Sequence, residues 1–260
     1  MMRRRFILWR LFLVLGLVAI LGGCVGMAPP APTALELSDT QMRQIVQQRM
    51  ALQSWQGLAS VHCTWLDGRS TSSATQALHV QRPNRLRVEV FGVFGQQLML
   101  MAASGSHMAA YVPSQQTFYS GLPSRERVEH FTGVPLTVPE LVALLLGQLP
   151  EMVWRLATVR AQGQSLIYDV GAGEFYQVQF ENGMIRTITC LRLGQTVYEA
   201  CYEQPDADNS FPRQLTLQVP DRGLTVQVKL EGLDLNPQLD EALFELTSPP
   251  GSQLLPLEAL

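Results

Sequence analysis

Short segments of alternating apolar and polar residues recur along most of this chain and are separated by turn residues. From Trp55 to Trp65 every second residue is apolar or small, and the same alternation returns from Leu86 to Val90. A period of two places alternate side chains on opposite faces of a strand, so each segment predicts a strand with one buried face. Turn signals such as Asn182-Gly183 favour hairpins between consecutive strands. The chain is therefore predicted to be mainly β, as an antiparallel meander.

The number of these segments limits the shape of the sheet. About eleven strands are more than a small flat sheet holds without curling. We expect a half-open antiparallel β-barrel with helices across its open side; a closed barrel with helices outside is the alternative. Ser38 to Gln41 and Thr137 to Glu140 both match the capping box that begins a helix. The second helix is apolar on nearly every side, so it must be covered on more than one face.

The concave face of such a sheet is the candidate site. It is either filled by the protein's own core or left as a cavity for an apolar ligand, and the alternation is the same in both cases. The residues that we expect to line the cavity or its lid lie on the strands and on the second helix. They are Trp55, Val61, Trp65, Leu86, Val88, Leu141 and Leu145.

The first residues have the pattern of a secretory signal. Arg3, Arg4, Arg5 and Arg10 form a basic region, and an apolar run from Leu11 to Leu21 follows. Leu21-Gly22-Gly23-Cys24 then places small residues before a cysteine, as a lipoprotein signal requires. This run is too short for the about 20 residues that cross a bilayer as a helix. An ordinary signal peptide, or one that is never cleaved, is the alternative.

These patterns divide the chain into three parts. Residues 1–23 are the predicted signal peptide, and residues 24–37 are a tether rich in Pro and Ala, which is lipidated at Cys24. Residues 38–260 are the folded domain. The whole chain has a formal charge of −3, and removal of the four leader arginines makes it −7. A nucleic-acid partner is excluded because no basic face is left to bind one.

The residues that commonly carry chemistry do not form a known site. Four histidines, His62, His79, His107 and His130, lack metal-ligand spacing, and Gly163-Gln164-Ser165 is not followed by the glycine of a nucleophile elbow. Arg82, Arg85 and Arg87 either bind an anion or form a solvated strand face. We expect no catalytic residue, no metal and no cofactor, and therefore no enzyme.

Three cysteines remain besides Cys24: Cys63, Cys190 and Cys201. An odd number does not make a disulfide framework. Cys190 and Cys201 flank a hairpin turn expected at Gly194-Gln195, so they either form a bridge or are buried as small apolar residues like Cys63.

Two stretches resemble the LolB family of outer-membrane lipoprotein receptors, in the LolA/LolB-like lipoprotein localisation superfamily. The first runs from Leu86 to Leu100 and has Gly92-Val93-Phe94-Gly95 between two strands. The second begins at Phe131-Thr132-Gly133-Val134-Pro135 and ends at Leu146-Gly147-Gln148-Leu149-Pro150. The segment from Leu239 to Leu246 departs from the receptor pattern and looks more like the carrier side of the superfamily.

The resemblance implies a function. The family takes the acyl chains of lipoproteins from the soluble periplasmic carrier LolA into an apolar cavity under a helical lid, and inserts them in the outer membrane. By resemblance, Cys24 is acylated, Val25 permits export to the outer membrane, and the loop residues Val93 and Phe94 enter that membrane. The expected partners are acylated lipoproteins, LolA and outer-membrane lipid, with the protein acting as a monomer. The alternative is that Phe94 is tucked into the domain.

Two other functions are compatible with the same sequence. One is a lipoprotein of this fold that binds or senses another lipid. The other is a structural envelope lipoprotein whose interior is filled.

Overall fold

The computed structural model describes residues 36–66, 70–205 and 211–260. The predicted signal peptide, Cys24 and nearly all of the tether lie outside these ranges, as does the expected turn at Asp67-Gly68. The helices are α1 (Asp39–Met50), α2 (Arg125–Thr132), α3 (Val138–Leu145) and α4 (Glu151–Leu156). Within the described ranges, no helix combines the length and the apolar character that crossing a bilayer requires.

The strands account for most of the domain. They are β1 (Ser54–Trp65), β2 (Ser70–Gln81), β3 (Arg85–Phe91), β4 (Gln97–Ser104), β5 (His107–Val112), β6 (Thr117–Gly121), β7 (Thr158–Ala161), β8 (Ser165–Gly171), β9 (Glu174–Glu181), β10 (Met184–Arg192), β11 (Gln195–Pro205), β12 (Pro212–Val219), β13 (Leu224–Leu235) and β14 (Gln253–Pro256). Short 3₁₀ turns lie at Pro113–Gln115, Pro220–Arg222, Glu241–Phe244 and Leu257–Ala259.

All of these strands belong to one open sheet. Its order is β14-β6-β5-β4-β3-β2-β1-β13-β12-β11-β10-β9-β8-β7, so β1 and β13 join the two halves at the middle. The described part of the chain therefore has fourteen strands rather than about eleven, and its edge strands β14 and β7 do not pair with each other. The mainly β prediction is confirmed, and the closed-barrel alternative is wrong. The pairing is antiparallel except that β14 runs parallel to β6.

Helix α1 covers the half of the sheet that contains β8 and β10. Ser38 and Gln41 form the predicted capping box at its start. Its residues Met42, Val46 and Met50 are buried and recur at helical spacing. The helix ends at Met50.

Helix α3 lies inside the curl of the sheet. Its capping box is formed by Thr137 and Glu140, with the Thr137 backbone N–H donating to Glu140 Oε2 at 2.7 Å. The last carbonyls of α3 accept hydrogen bonds from two strands in opposite halves of the sheet. The donors are Trp55 of β1 and Tyr202 of β11, so the sheet bends around this helix.

Three local predictions differ from the structure. The sequence from Val153 to Ala161 predicts a strand, but the segment forms the end of α4 and then β7. Pro150 caps the start of that helix, and the Glu151–Arg155 ion pair spans one turn of it. The turn expected at Gly194-Gln195 is Leu193-Gly194. Cys190 consequently pairs with Tyr198 across the hairpin and not with Cys201, and the cysteines among the described residues are free.

Candidate functional site

An apolar crevice of about 100 Å³ lies between the inner face of the sheet and the helices α2 and α3. The strands β1 to β4 and β13 supply one wall and the two helices supply the other. The strand side chains are Val61, Gln76, Leu78, Leu86, Val88, Val90, Met99, Val226 and Val228; the others are Phe131, Thr132, Val134, Leu141 and Leu145. Gln76 and Thr132 are the polar members, and none of the lining residues is ionisable.

The crevice can hold apolar groups and offers nothing for acid–base or nucleophilic chemistry. The Thr132 hydroxyl already donates to the carbonyl of Val128 at 2.8 Å, so it is not directed at a ligand. An apolar group that enters this space leaves water at a gain of about 25 cal/mol per Å² of its surface. The arrangement is that of a binding site for hydrocarbon.

Five of the seven residues singled out from the sequence line this crevice: Val61, Leu86, Val88, Leu141 and Leu145. The two tryptophans do not. Trp55 is fully buried, and its Nε1 donates to the carbonyl of Leu145 at 2.9 Å, so it holds the end of α3. Trp65 is half-buried and packs against the core.

The C-terminal end of α3 is held firmly in place. Besides the Trp55 bond, the hydroxyl of Tyr202 donates to the carbonyl of Leu144 at 3.0 Å. Gln148, just beyond the helix, is buried and donates to the carbonyls of Arg49 and Leu52 at 2.7 and 2.8 Å. Buried bonds of this kind fix one end of the cover over the crevice.

The other part of that cover, α2, is held by contacts at the surface. Arg127 pairs with Glu258 at 3.0 Å, and Glu129 pairs with Arg222 at 3.1 Å. In each pair at least one partner is exposed, and such pairs contribute only about 0–1 kcal/mol. Helix α2 also packs on the core, since Val128 is fully buried and the Phe131 ring meets the Tyr119 ring of β6 edge to face at a centroid distance of 5.5 Å.

The loop between β3 and β4 projects its apolar residues into solvent. The Gly92 N–H donates to the Gln96 carbonyl and the Gly95 N–H to the Gly92 carbonyl, both at 2.9 Å, and Gly95 takes a φ of +77° to close the turn. Val93 and Phe94 at its tip are 90% and 91% exposed. The alternative in which Phe94 is tucked into the domain is wrong.

Leu66 is a second exposed apolar residue near this loop, and the sequence analysis did not identify it. It is 88% exposed and follows β1, and its N–H donates to the Gly223 carbonyl at 2.8 Å. Because β1 to β4 are antiparallel neighbours, the C-terminal end of β1 and the β3–β4 loop lie at the same end of the sheet. A usable signal existed: Leu66 interrupts the polar face formed by Gln56, Ser60, His62 and Thr64.

The inner face of the other half of the sheet is filled by aromatic rings. Tyr168, Tyr176, Tyr198 and Tyr202 on β8 to β11 are buried. Burial raises the pKa of Tyr168 to about 12. It also raises the pKa values of Tyr176, Tyr198 and Tyr202 above the ordinary value. This half of the sheet forms a core.

Polar groups elsewhere are engaged in structural contacts. Arg85 pairs with Glu241 at 2.7 Å and Arg87 with Glu89 at 2.8 Å, while Arg82 donates to the carbonyl of Met50. The described residues contain no cluster of three metal-ligating side chains. Burial lowers the pKa of His79, and the neighbouring Arg87 lowers it further.

Three solved structures share this fold. A LolA superfamily protein from Nitrosomonas europaea is 10% identical, with a TM-score of 0.52 over 82% of this chain and 99% of that one. A putative outer membrane lipoprotein-sorting protein domain from Vibrio parahaemolyticus is 11% identical, with a TM-score of 0.52 over 77% and 94%. A DUF1329 family protein from Desulfovibrio piger is 10% identical, with a TM-score of 0.57 over 79% and 95%.

At these identities the likeness is one of fold, and it supports the LolA-like superfamily fold predicted from the sequence. No protein-family model matches the chain, and no curated protein matches its sequence.

Proposed function

We propose that this protein is a lipid-anchored acceptor that takes acyl chains of lipoproteins from a periplasmic carrier and inserts them in the outer membrane. It acts without covalent chemistry or a cofactor. The proposal is carried by one observation: the crevice under α2 and α3 is lined by apolar side chains and has no ionisable group. A fold shared with a lipoprotein-sorting domain supports it, as do the predicted lipidation signal at Cys24 and the two stretches that resemble LolB.

The crevice must widen to accept an acyl chain. Its volume of about 100 Å³ is below the roughly 300–1,000 Å³ typical of sites that enclose drug-sized ligands. Helices α2 and α3 act as the lid. Because the C-terminal end of α3 is anchored by Trp55 and Tyr202, opening requires α2 and the N-terminal part of α3 to move away from the sheet. Arg125 joins the two helices through the Pro135 carbonyl and Glu140, so they move together about the fixed end of α3.

In this mechanism the membrane is faced by the end of the sheet that carries Val93, Phe94 and Leu66. Two lining residues lie close to this end: Val90 precedes the last residue of β3, and Val226 is the third residue of β13. An acyl chain in the crevice is therefore directed along the strands toward the bilayer. Exposed apolar side chains at that end of the sheet stabilise contact with lipid, since each buries its own apolar surface in the bilayer.

Site-specific crosslinking tests the binding step. A photoreactive residue at Val61 or Val88 should capture an acylated lipoprotein handed over by its carrier, because both positions face the crevice. The matched control is Val178, which is fully buried in the aromatic half of the sheet. Capture at Val178 as strong as at Val61 and Val88, or capture at none of the three, would contradict the assignment.

A charge at the loop tip tests the delivery step. Phe94→Glu should leave acceptance from the carrier intact and block transfer into liposomes, because a carboxylate is expensive to place in hydrocarbon. Leu254→Glu, which alters an exposed leucine on the edge strand β14, is the control. Unchanged delivery by Phe94→Glu would exclude the loop from membrane contact. If mass spectrometry of the purified protein finds only another lipid in the crevice, the protein is a carrier or sensor of that lipid instead.

A further inference from the structure

A second and larger cavity lies on the other side of α3. It has a volume of about 820 Å³ and reaches from the N-terminal turn of α3 to α4 and the ends of β8 to β10. Glu140 of α3 lines this cleft, whereas Leu141, the next residue, lines the crevice. The two cavities share no lining residue and lie on different faces of α3. This cleft already has the size of a small-molecule site, between about 300 and 1,000 Å³.

Exposed apolar side chains form one side of the cleft. Met152 and Leu156 lie four residues apart on α4, so they share a face of that helix, and both are exposed to solvent. Val153 and Val170 add buried or partly buried apolar surface beside them. Two large apolar residues on the same exposed helix face offer hydrocarbon contact along one wall.

Three ion pairs line the same cleft, and in each the arginine is the more exposed partner. The Arg155 side chain is 72% exposed and its partner Glu151 28%; for Arg192 and Glu174 the fractions are 46% and 25%. Arg125 and Glu140 follow the same order. A guanidinium has five N–H donors, and a pairing with one carboxylate leaves some of them for other acceptors. The three glutamates line the cleft as well, so the pairs cancel in formal charge, and the arginines are their more accessible members.

The turn beside Arg192 contains a strained leucine. Leu193 and Gly194 have φ values of +51° and +78°, nearly the same as +51° and +79° at Asn182 and Gly183 in the neighbouring hairpin. Asn is the residue that such a turn favours at its first position, and a leucine there costs about 1–2 kcal/mol. Leu193 is also 80% exposed. Its side chain lies over Gly173 in the neighbouring turn, and its N–H donates to the Gly173 carbonyl at 2.8 Å, so this leucine makes a local contact outside the lining of the cleft.

We propose that this cleft binds an anionic amphiphile, with its acyl chain on Met152 and Leu156 and its phosphate or carboxylate on Arg155 and Arg192. The exposure of the arginines favours this ligand over a neutral one, because their guanidinium groups are more accessible than the paired carboxylates and line the same cleft as the two apolar side chains. The site is distinct from the proposed lipoprotein crevice, which has no cationic group.

The test uses the unacylated chain from residue 25 onward, because Leu35–Leu260 is a compact unit with its own core. Binding of dodecanoate, of lysophosphatidylglycerol and of the neutral monododecanoylglycerol is measured by calorimetry below their aggregation concentrations. We expect the anionic ligands to bind at least about tenfold more tightly than the neutral one, since charge-assisted hydrogen bonds are the strong ones. Preference between the two anionic ligands identifies carboxylate or phosphate as the preferred group. Equal binding of all three ligands would overturn the proposal.

Three variants locate the binding. Arg155→Gln, at an exposed position, should weaken binding of the anionic ligands severalfold without unfolding the protein. Leu156→Asn, at an exposed position on the apolar wall, should weaken binding of the anionic ligands without unfolding the protein. Leu193→Asn alters the turn beside Arg192 but no side chain that lines the cleft, so it should leave binding unchanged while raising the free energy of unfolding. Loss of binding in Leu193→Asn, or none in the other two, would refute the cleft as the site while leaving the crosslinking test of the crevice unaffected.

Discussion

The two halves of the sheet bury their inner faces in different ways. Strands β1 to β4 present aliphatic side chains to α3 and leave a crevice of about 100 Å³. Strands β8 to β11 present buried tyrosines, and the rings of Tyr176 and Tyr198 meet edge to face at a centroid distance of 6.4 Å. Large rings reach across the curl of the sheet, whereas valines do not. The tyrosine rings therefore fill the middle of their half, whose open space is the cleft at the strand ends, whereas the aliphatic half retains a crevice beneath α3 that the proposed function uses.

The largest expected effect is alkaline unfolding through the aromatic half. The native pKa of Tyr168 is raised to about 12, and those of Tyr176, Tyr198 and Tyr202 are also raised. A group whose native pKa is raised stabilises the fold fully below its unfolded pKa, near 10 for tyrosine, and loses that contribution as the pH rises through the native pKa. We expect a loss of about 1.4 kcal/mol per pH unit for each tyrosine that ionises only after unfolding.

With four such tyrosines, the free energy of unfolding of a typical domain, about 5–15 kcal/mol, is largely lost between pH 10 and pH 12. Urea unfolding followed by circular dichroism from pH 8 to pH 12 measures this loss. Tyrosinate absorbance at the same pH values shows whether ionisation accompanies unfolding. If all tyrosines ionise near pH 10 while the fold persists, the aromatic half is open to water and the comparison fails.

The next largest effect is the removal of one ring from the aromatic half. Tyr198 is fully buried on β11, opposite Cys190 on β10. Tyr198→Ala should lower the free energy of unfolding by about 3–5 kcal/mol, the usual cost of deleting a buried aromatic ring. Chemical denaturation measures the loss, with Tyr198→Phe as the control that keeps the ring. A cost below about 1 kcal/mol would mean that the rings are loosely packed.

The sequence predicted the features that depend on neighbouring residues. The capping boxes at Ser38 and Thr137, the alternation along β1 and β3, and the Asn182-Gly183 hairpin all depend on contacts within a few residues. The same alternation placed three crevice residues, Val61, Leu86 and Val88, on the inner face, and the apolar helix predicted after Thr137 supplied Leu141 and Leu145. The exposed tip of the β3–β4 loop was identified by resemblance.

Features that depend on distant contacts could not be predicted. Strand β14 pairs in parallel with β6, more than 130 residues earlier, and no hairpin signal marks such a pairing. The Leu193-Gly194 turn contains a leucine where turn chemistry favours asparagine. The turn was therefore predicted one residue too late, at Gly194-Gln195. The crevice and the filled half share the same periodicity, and only the sizes of the side chains that meet across the curl distinguish them.

A smaller effect tests the fixed end of the lid, on the aliphatic side of the comparison. Trp55→Phe keeps a ring but removes the hydrogen bond from Nε1 to the Leu145 carbonyl. We expect a loss of about 1–2 kcal/mol in the free energy of unfolding, because a buried carbonyl is left without its donor. The freed end of α3 should also let an apolar fluorescent probe enter the crevice faster in stopped-flow mixing. Trp65→Phe, at the half-buried position away from α3, is the control; equal rates in both variants would refute a role for the Trp55 bond.

The smallest change in stability should come from filling the crevice itself, and it separates the two halves most directly. Val88→Phe places a ring where about 100 Å³ is open, so we expect the free energy of unfolding to change by less than about 1 kcal/mol. Val178→Phe makes the same substitution in the aromatic half, where the fully buried site has no comparable space, and overpacking there costs about 1–3 kcal/mol. Val88→Phe should also abolish binding of an apolar probe, while Val178→Phe leaves it intact in the molecules that remain folded. Equal costs for the two substitutions would mean that the two halves are packed alike, and the crevice could then not receive an acyl chain without unfolding the core around it.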